Sequence, residues 1–112
     1  MKFNIDDVGG PSAGMIFALG IVDKLSKEDL VKGRLIAGTG TISAQGEVGA
    51  IGGIEEKMIG ARRAGATIFL APRANCPDIK HIPLGLKVIP VSTLRESIAT
   101  LQAPKDSKFP TC

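Results

Sequence analysis

The stretch that decides the fold of this chain is IGGIEEKMIGARRAGATIFLAP, residues 51–72. From Ile54 its apolar side chains recur at three- and four-residue spacing, which predicts a helix that runs to about Ala64. Gly65 follows, and helices commonly end on a glycine in the left-handed conformation. Residues 67–70 are a compact apolar run, which predicts a buried strand.

The same alternation of strand and helix continues on both sides of this stretch. Towards the amino terminus we predict a short strand at residues 3–5, a buried helix from Pro11 or Ser12 to Leu25, a glycine-containing strand over 34–43, and a short strand over 48–51 after a turn at 45–47. Towards the carboxyl terminus we predict a loop over 73–83, a strand over 86–91, and a helix capped by Ser92 or Thr93 that ends at Leu101.

This alternation predicts an α/β or α+β fold, in which helices pack on a small mixed sheet. We expect one domain over residues 1–101 and a flexible, polar tail over residues 102–112. The abrupt start at Met1 indicates a piece of a longer protein, because no leader precedes sequence that is typical of a folded domain.

Composition and charge limit the classes of function. Of the 112 residues, 44% are hydrophobic and 22% are charged, an ordinary balance for a globular domain. The formal net charge is +3, but the basic residues are scattered and no basic run is interleaved with aromatic side chains. We therefore expect no nucleic-acid partner. No apolar stretch is long enough to span a membrane.

The two cysteines, Cys76 and Cys112, offer no metal site. Neither belongs to a Cys-x-x-Cys pair or to a Cys/His spacing that would hold zinc, so we expect no metal and no cofactor. The two thiols could pair, although Cys112 is the last residue, where chains are commonly mobile. The sequence leaves their redox state open.

A serine flanked by small residues stands where the first predicted strand turns into the buried helix, in the segment GGPSAG, residues 9–14. The free N–H groups and the positive dipole end of a helix N-terminus can stabilise the oxyanion that forms when a carbonyl is attacked. Ser12 is therefore a candidate nucleophile, and the main-chain groups of Gly10, Ser12 and Ala13 are a candidate oxyanion site. A plain helix-capping serine explains the same residues.

A serine hydroxyl is a weak nucleophile and needs a base. Histidine is the usual base, but the single histidine, His81, lies in a polar loop beside Lys80. A neutral lysine is the alternative, because burial disfavours the charged form and lowers the pKa of a lysine. Lys57 is the candidate, since it borders the apolar stripe, three residues after Ile54 and four before Ala61. A lysine at such a border can also simply extend its ammonium group to water.

Thr39 is the third candidate residue. It stands between Gly38 and Gly40 in the glycine-containing strand, where its hydroxyl could orient a lysine ammonium group. A threonine is also common in strands without any such role, so both interpretations stay open.

Three blocks of sequence resemble, in order and approximate spacing, the proteolytic domain of Lon-type ATP-dependent proteases. They are Gly10-Pro11-Ser12-Ala13-Gly14, then Thr39-Gly40 followed by Gly46-Glu47-Val48, then Ile51-Gly52-Gly53-Ile54-Glu55-Glu56-Lys57. The similarity runs from about Asp7 to Leu101. It implies the fold of that domain and serine endopeptidase activity on proteins or peptides, with Ser12 as the nucleophile, Lys57 as its partner and Thr39 supporting the lysine. It also implies strands upstream of the serine block, most of which are missing here.

The sequence departs from the usual Lon pattern in two ways, and the second is a resemblance to a bacterial branch of the family in which a Lon-like domain follows a PDZ domain. Residue 9 is glycine where Lon sequences usually carry an acidic residue, and Asp7 supplies the acid slightly earlier. Residues 7–12 and 36–42 are closer to that branch, whose members are envelope-anchored and ATP-independent. The resemblance implies a membrane-anchored parent protein in the cell envelope, and homo-oligomers, since Lon-like domains form rings. No Walker motif occurs in this chain.

The expected mechanism is a serine–lysine dyad, in which neutral Lys57 accepts the Ser12 proton as Ser12 attacks a peptide carbonyl. Two alternatives remain. The domain could be a latent protease that is competent only in an oligomer or with its missing strands. It could also be a binding or assembly module that captures peptide at a sheet edge without turnover.

Overall fold

A three-stranded parallel sheet is the centre of the described structure. The computed structural model describes residues 35–103 and 109–112, and the strand predicted at residues 3–5 and the helix predicted from Pro11 or Ser12 lie outside them. The sheet consists, in spatial order, of β1 (Ile36–Gly38), β4 (Ile68–Pro72) and β5 (Lys87–Val91). The strands predicted over 67–70 and 86–91 are thereby confirmed.

A separate antiparallel hairpin, β2 (Thr41–Ile42) and β3 (Val48–Gly49), follows β1. The single strand predicted over 34–43 is therefore wrong, because the chain leaves the parallel sheet at residues 39–40. Gly40 has a φ of +145°, a backbone conformation that other residues rarely adopt. The hairpin is also bonded to the end of β5, where the Val48 N–H donates to the Ser92 carbonyl at 2.9 Å.

Two helices cover opposite faces of the sheet: α1 (Ile54–Arg63) and α2 (Leu94–Gln102). Alternate strand residues face opposite sides, so neighbouring residues in one strand enter different cores. One core joins the strands to α2 and contains Ile36, Ile68, Leu70, Ile89, Val91 and Leu101. The other joins them to α1 and contains Ala37, Ile54, Met58, Ala61, Ala66, Phe69, Ala71, Leu86 and Val88. The α/β fold is confirmed, with parallel strands in the sheet that carries both helices.

The ends of both helices follow the predicted signals. α1 ends at Arg63, and Gly65 adopts a φ of +99° just beyond it. α2 begins after Thr93, whose Oγ1 accepts a hydrogen bond from the Glu96 N–H at 3.0 Å. The Glu96 carboxylate completes the cap by accepting from the Ser92 N–H at 2.7 Å.

A 3₁₀ helix, Arg73–Asp78, occupies the first half of the segment predicted as a loop over 73–83. That prediction is wrong for these six residues. Such helices have three residues per turn and stay short, so the apolar periodicity of an α-helix does not reveal them.

The last four residues lie against the body of the domain. Phe109 packs against the core on the α2 side, and the Lys87 ammonium group lies 4.8 Å from the centre of its ring. Cys112 forms a disulfide with Cys76 in the 3₁₀ helix, with the two Cα atoms 5.0 Å apart. Because residues 104–108 lie outside the described residues, the flexibility predicted for 102–112 stays a prediction.

Gly40 and Gly60 give a matched test of this fold. A Cβ at Gly40 would lie 2.6 Å from Val48 Cγ1, whereas a Cβ at Gly60, in α1, would meet nothing within 4 Å. Gly40→Ala should lower the free energy of unfolding by about 1–3 kcal/mol through strain and overlap. Gly60→Ala should raise it by about 0.5–1 kcal/mol. Urea denaturation measures both, and equal effects of the two substitutions would contradict the break at Gly40.

Within residues 35–103 and 109–112, no helix combines the length and the apolar character needed to cross a membrane.

Candidate active site

Lys57 lies in the second turn of α1, at the border of its buried face. Ile54, Met58 and Ala61 form that face and are at most 4% exposed. Lys57 itself is half-buried, whereas Glu56 beside it is exposed. The apolar stripe and the place of Lys57 at its border are thus confirmed, and the catalytic role of Lys57 stays a prediction.

The main chain that leads into α1 is unusual for a helix start. Gly53, the residue before the helix, has a φ of +69° and provides no side chain to cap it. The Lys57 N–H donates to the Gly53 carbonyl at 3.1 Å, the first bond of the helical ladder. Glu55 and Glu56 lie in the first turn, where carboxylates interact favourably with the helix dipole.

Thr39 is buried, with 1% of its surface exposed, directly after the last residue of β1. Its N–H donates to the Leu70 carbonyl in β4 at 3.2 Å. The two-residue alternation of a strand places Thr39 on the same side as Ala37, whose side chain packs in the α1 core. Thr39 and α1 therefore lie on one face, at the carboxyl end of a parallel strand, where α/β folds commonly carry their sites.

Ser12, Gly10 and Ala13 lie outside the described residues. Their predicted roles as nucleophile and oxyanion site stay predictions. The described structure brings two of the three candidate side chains, Lys57 and Thr39, to one side of the sheet.

His81 is exposed, in agreement with the polar setting predicted for it. Its main-chain N–H donates to Glu55 Oε2 at 2.7 Å, and the Lys80 N–H donates to the same oxygen at 2.8 Å. The bonds from His81 and Lys80 hold the pKa of Glu55 below its ordinary value, because they stabilise the charged carboxylate. These bonds attach the first turn of α1 to the loop that follows the 3₁₀ helix.

The lowered pKa of Glu55 predicts a pH-dependent stability. A carboxyl group whose pKa is lower in the folded protein stabilises it above its ordinary value, here 4.5, and loses that contribution as the pH falls through the folded pKa. The destabilisation caused by Glu55→Gln should therefore be larger at neutral pH than at pH values well below 4.5. Urea denaturation across this range measures it, with Glu56→Gln as the control for losing one charge. A difference that is independent of pH would contradict the assigned bonds.

Asn75, in the 3₁₀ helix, is a residue that the sequence did not single out. Its side chain is 1% exposed and bonds to the main chain of Ile51, just before α1. Its burial could not be predicted from apolar periodicity, because asparagine is polar and the 3₁₀ helix that carries it was not predicted. The only local signal is the Asn-x-x-Asp spacing after Pro72, which is typical of turns.

A cavity of about 390 Å³ opens at the start of α1. It is lined by Ile51, Gly52, Gly53, Ile54, Glu55, Glu56 and Asp78. In the part of the chain that the structure describes, no group of three or more His, Cys, Asp or Glu side chains is placed to hold a metal ion. The described residues that line the cavity carry three carboxylates, those of Glu55, Glu56 and Asp78.

Two comparisons with known proteins, one with family models and one with single proteins, agree on one family. The model of the Lon protease (S16) C-terminal proteolytic domain matches residues 7–103. Lon protease 1 of Myxococcus xanthus is 39% identical over 105 residues, which are 87% of this chain and 12% of that protein. The Lon protease of Mesomycoplasma hyopneumoniae is 41% identical over 91 residues, 78% of this chain and 10% of that protein. The chain thus spans about a tenth of the length of the curated relatives it matches.

Proposed function

The chain belongs to the Lon protease C-terminal proteolytic domain family, and from this premise we propose that it hydrolyses peptide bonds in protein substrates through a dyad of Ser12 and Lys57. Membership of the family supports protease activity. The main observation in favour of Lys57 as the base is its half-buried position at the border of the buried face of α1. Thr39, buried on the face that α1 covers, supports the lysine in this proposal.

The proposed reaction has two halves. The Lys57 amine accepts the proton of the Ser12 hydroxyl as its oxygen bonds to the peptide carbonyl carbon, and the main-chain N–H groups of Gly10, Ser12 and Ala13 stabilise the oxyanion. Lys57 then gives the proton to the leaving amine, and the peptide C–N bond breaks. A water molecule, deprotonated by the same amine, releases the acyl group and restores the serine.

The finer relationship that we propose is with the PDZ-linked, ATP-independent branch. The segments 7–12 and 36–42 support it. In this proposal the parent protein is anchored in the cell envelope and forms homo-oligomers. Sequencing the gene that encodes the chain, on both sides of this region, tests the proposal. An adjoining PDZ domain supports it, and an adjoining ATPase domain contradicts it.

The activity is tested by incubating the full chain with an unfolded protein and a set of peptides, and by detecting new amino termini by mass spectrometry. Cleavage that disappears in Ser12→Ala supports the proposed enzyme. Cleavage only by a longer form of the protein, again lost in Ser12→Ala, supports a latent protease. Peptide binding that is unaffected by Ser12→Ala, without cleavage by either form, shows a binding module and contradicts the proposal.

A further inference from the structure

The buried carboxamide of Asn75 holds both polar groups of one main-chain residue. Its Oδ1 accepts from the Ile51 N–H at 2.9 Å, and its Nδ2 donates to the Ile51 carbonyl at 2.8 Å. Nδ2 also donates to Asp78 Oδ2 at 3.1 Å, which fixes the orientation of the amide. We call the two bonds to Ile51 the Asn75 clamp. Because the carboxamide is only 1% exposed, removing it leaves the Ile51 groups without these partners and without ready access to water.

The clamp lies next to a pair of glycines that lead into α1. Gly52 and Gly53 follow Ile51, and glycine pairs allow many backbone conformations. A Cβ at either glycine would meet nothing within 4 Å, so neighbouring atoms do not restrain them closely. Gly53 also gives α1 no side-chain cap. The start of α1 is therefore held from two sides, by Ile54 in the core and by the bonds to Ile51.

Lys57 is connected to the clamp by a short path. Its N–H donates to the carbonyl of Gly53 at 3.1 Å, and Gly53 is two residues from Ile51. The clamp thus fixes the main chain two residues before the carbonyl that accepts the Lys57 N–H. Glu55 makes a second attachment in the first turn of α1, but it holds exposed loop N–H groups rather than the chain that precedes the helix.

The 3₁₀ helix that carries Asn75 is itself bonded to other parts of the chain, at its first residue and at Cys76. Arg73 Nε donates to Ser92 Oγ at 2.9 Å, and Arg73 forms an ion pair with Glu96 at 3.3 Å. Cys76, next to Asn75, is bonded to Cys112. The clamp therefore connects the start of α1 to the 3₁₀ helix, and that helix is in turn bonded to the end of β5 and to the carboxyl-terminal segment.

We infer that Asn75 is a positioning residue for Lys57, which acts by holding the Ile51 main chain so that α1 presents the Lys57 amine in a fixed place. This inference rests on the proposed function, because it takes Lys57 to be the base. Small displacements of a catalytic group cost large factors in rate, on the order of 100-fold for about 1 Å. Asn75 itself touches no substrate in this account.

The test measures amide exchange and peptide hydrolysis on the full chain and its Asn75→Ala variant. Amide hydrogen exchange at Lys57 reports the first bond of α1, and Ser97, whose N–H donates to the Thr93 carbonyl, reports the equivalent bond of α2. In the variant we expect exchange at Lys57 to be at least about tenfold faster, with exchange at Ser97 unchanged. The value of kcat should fall about 10- to 100-fold with KM within about threefold.

Two further variants keep the result interpretable. Ile89→Val weakens the core on the α2 side without touching α1, and should leave both Lys57 exchange and kcat near the parent values. Asp78→Ala keeps both bonds to Ile51 and removes only the carboxylate that orients the amide, so it carries the same test, with smaller effects, if the Asn75→Ala variant does not fold.

The outcomes separate the two proposals. Faster exchange confined to Lys57, with the loss in kcat, supports the positioning role. Unchanged exchange at Lys57, equal acceleration at Ser97, or an equal loss of kcat in Ile89→Val overturns it. If neither the parent chain nor a longer form of the protein hydrolyses peptide, the proposed function fails, and the exchange at Lys57 then decides alone whether Asn75 holds the start of α1.

Discussion

Replacing Ser12 with alanine should abolish peptide hydrolysis, with a loss in kcat on the order of 10⁴-fold or more. The hydroxyl oxygen forms the bond to the carbonyl carbon in this account, and alanine has no atom to replace it. The substitution removes one small polar atom, so the folded chain should persist, and its circular dichroism spectrum should be unchanged.

The control for this prediction is Ser107→Ala, which removes a hydroxyl from the predicted tail. Its kcat should equal that of the parent chain. A Ser12→Ala variant that keeps full activity after purification from an expression host lacking related proteases would show that Ser12 is not the nucleophile. Residual cleavage at a rate higher than this prediction allows would point to a contaminating protease. A second purification identifies the contaminant if it separates that activity from the variant.

Replacing Lys57 with arginine should cost almost as much as replacing Ser12. Arginine keeps the positive charge and most of the length of the lysine, but it does not lose its proton in proteins and therefore cannot act as a base. Lys57→Ala should be similarly inactive. Because the two residues act as a unit, combining Ser12→Ala with Lys57→Ala should lower the rate no further than either change alone.

Lys80→Arg is the matched control for this change, since the Lys80 side chain belongs to an exposed residue in the loop near α1. It should leave kcat unaltered. If Lys57→Arg retained more than about a tenth of the parent rate, Lys57 would act as a fixed cation rather than as a base. Arginine stays protonated, so it could not support such a rate by accepting a proton.

The elements predicted well are those whose signals are local. α1 and α2 carry apolar side chains at helical spacing together with clear ends, Gly65 in one case and the Thr93 cap in the other. β4 is a run of buried apolar residues between turn signals. In each case the residues that form the element also encode its limits, so neighbouring sequence is sufficient.

The elements missed are those that depend on contacts between distant residues. The break at Gly40 follows from the separation of the hairpin from the parallel sheet, which the residue types of 36–42 do not reveal. Asn75 is important because it reaches Ile51, 24 residues away in sequence, and no local pattern encodes that contact. The pairing of Cys76 with Cys112 was open for the same reason, since spacing alone does not fix which thiols meet.

For the candidate site, residue types and the family resemblance identified Ser12, Lys57 and Thr39. The structure adds the burial of two of them, and it differs between Lys57 and Thr39. Lys57 is half-buried at a helix border, and Thr39 is fully buried beyond β1. The helical spacing predicted the position of Lys57 at the border, because that position depends on one helix alone. The burial of Thr39 depends on parts of the chain distant in sequence, among them Leu70 in β4, and no single element determines it.

The most direct test of the dyad is the distance between Ser12 Oγ and Lys57 Nζ in a crystal structure of the protein. The account predicts a separation near hydrogen-bond reach, about 2.6–3.2 Å or somewhat longer without substrate, with the Lys57 amine shielded from water. A Lys57 side chain that points into solvent, with the serine oxygen several ångströms farther away, would contradict it.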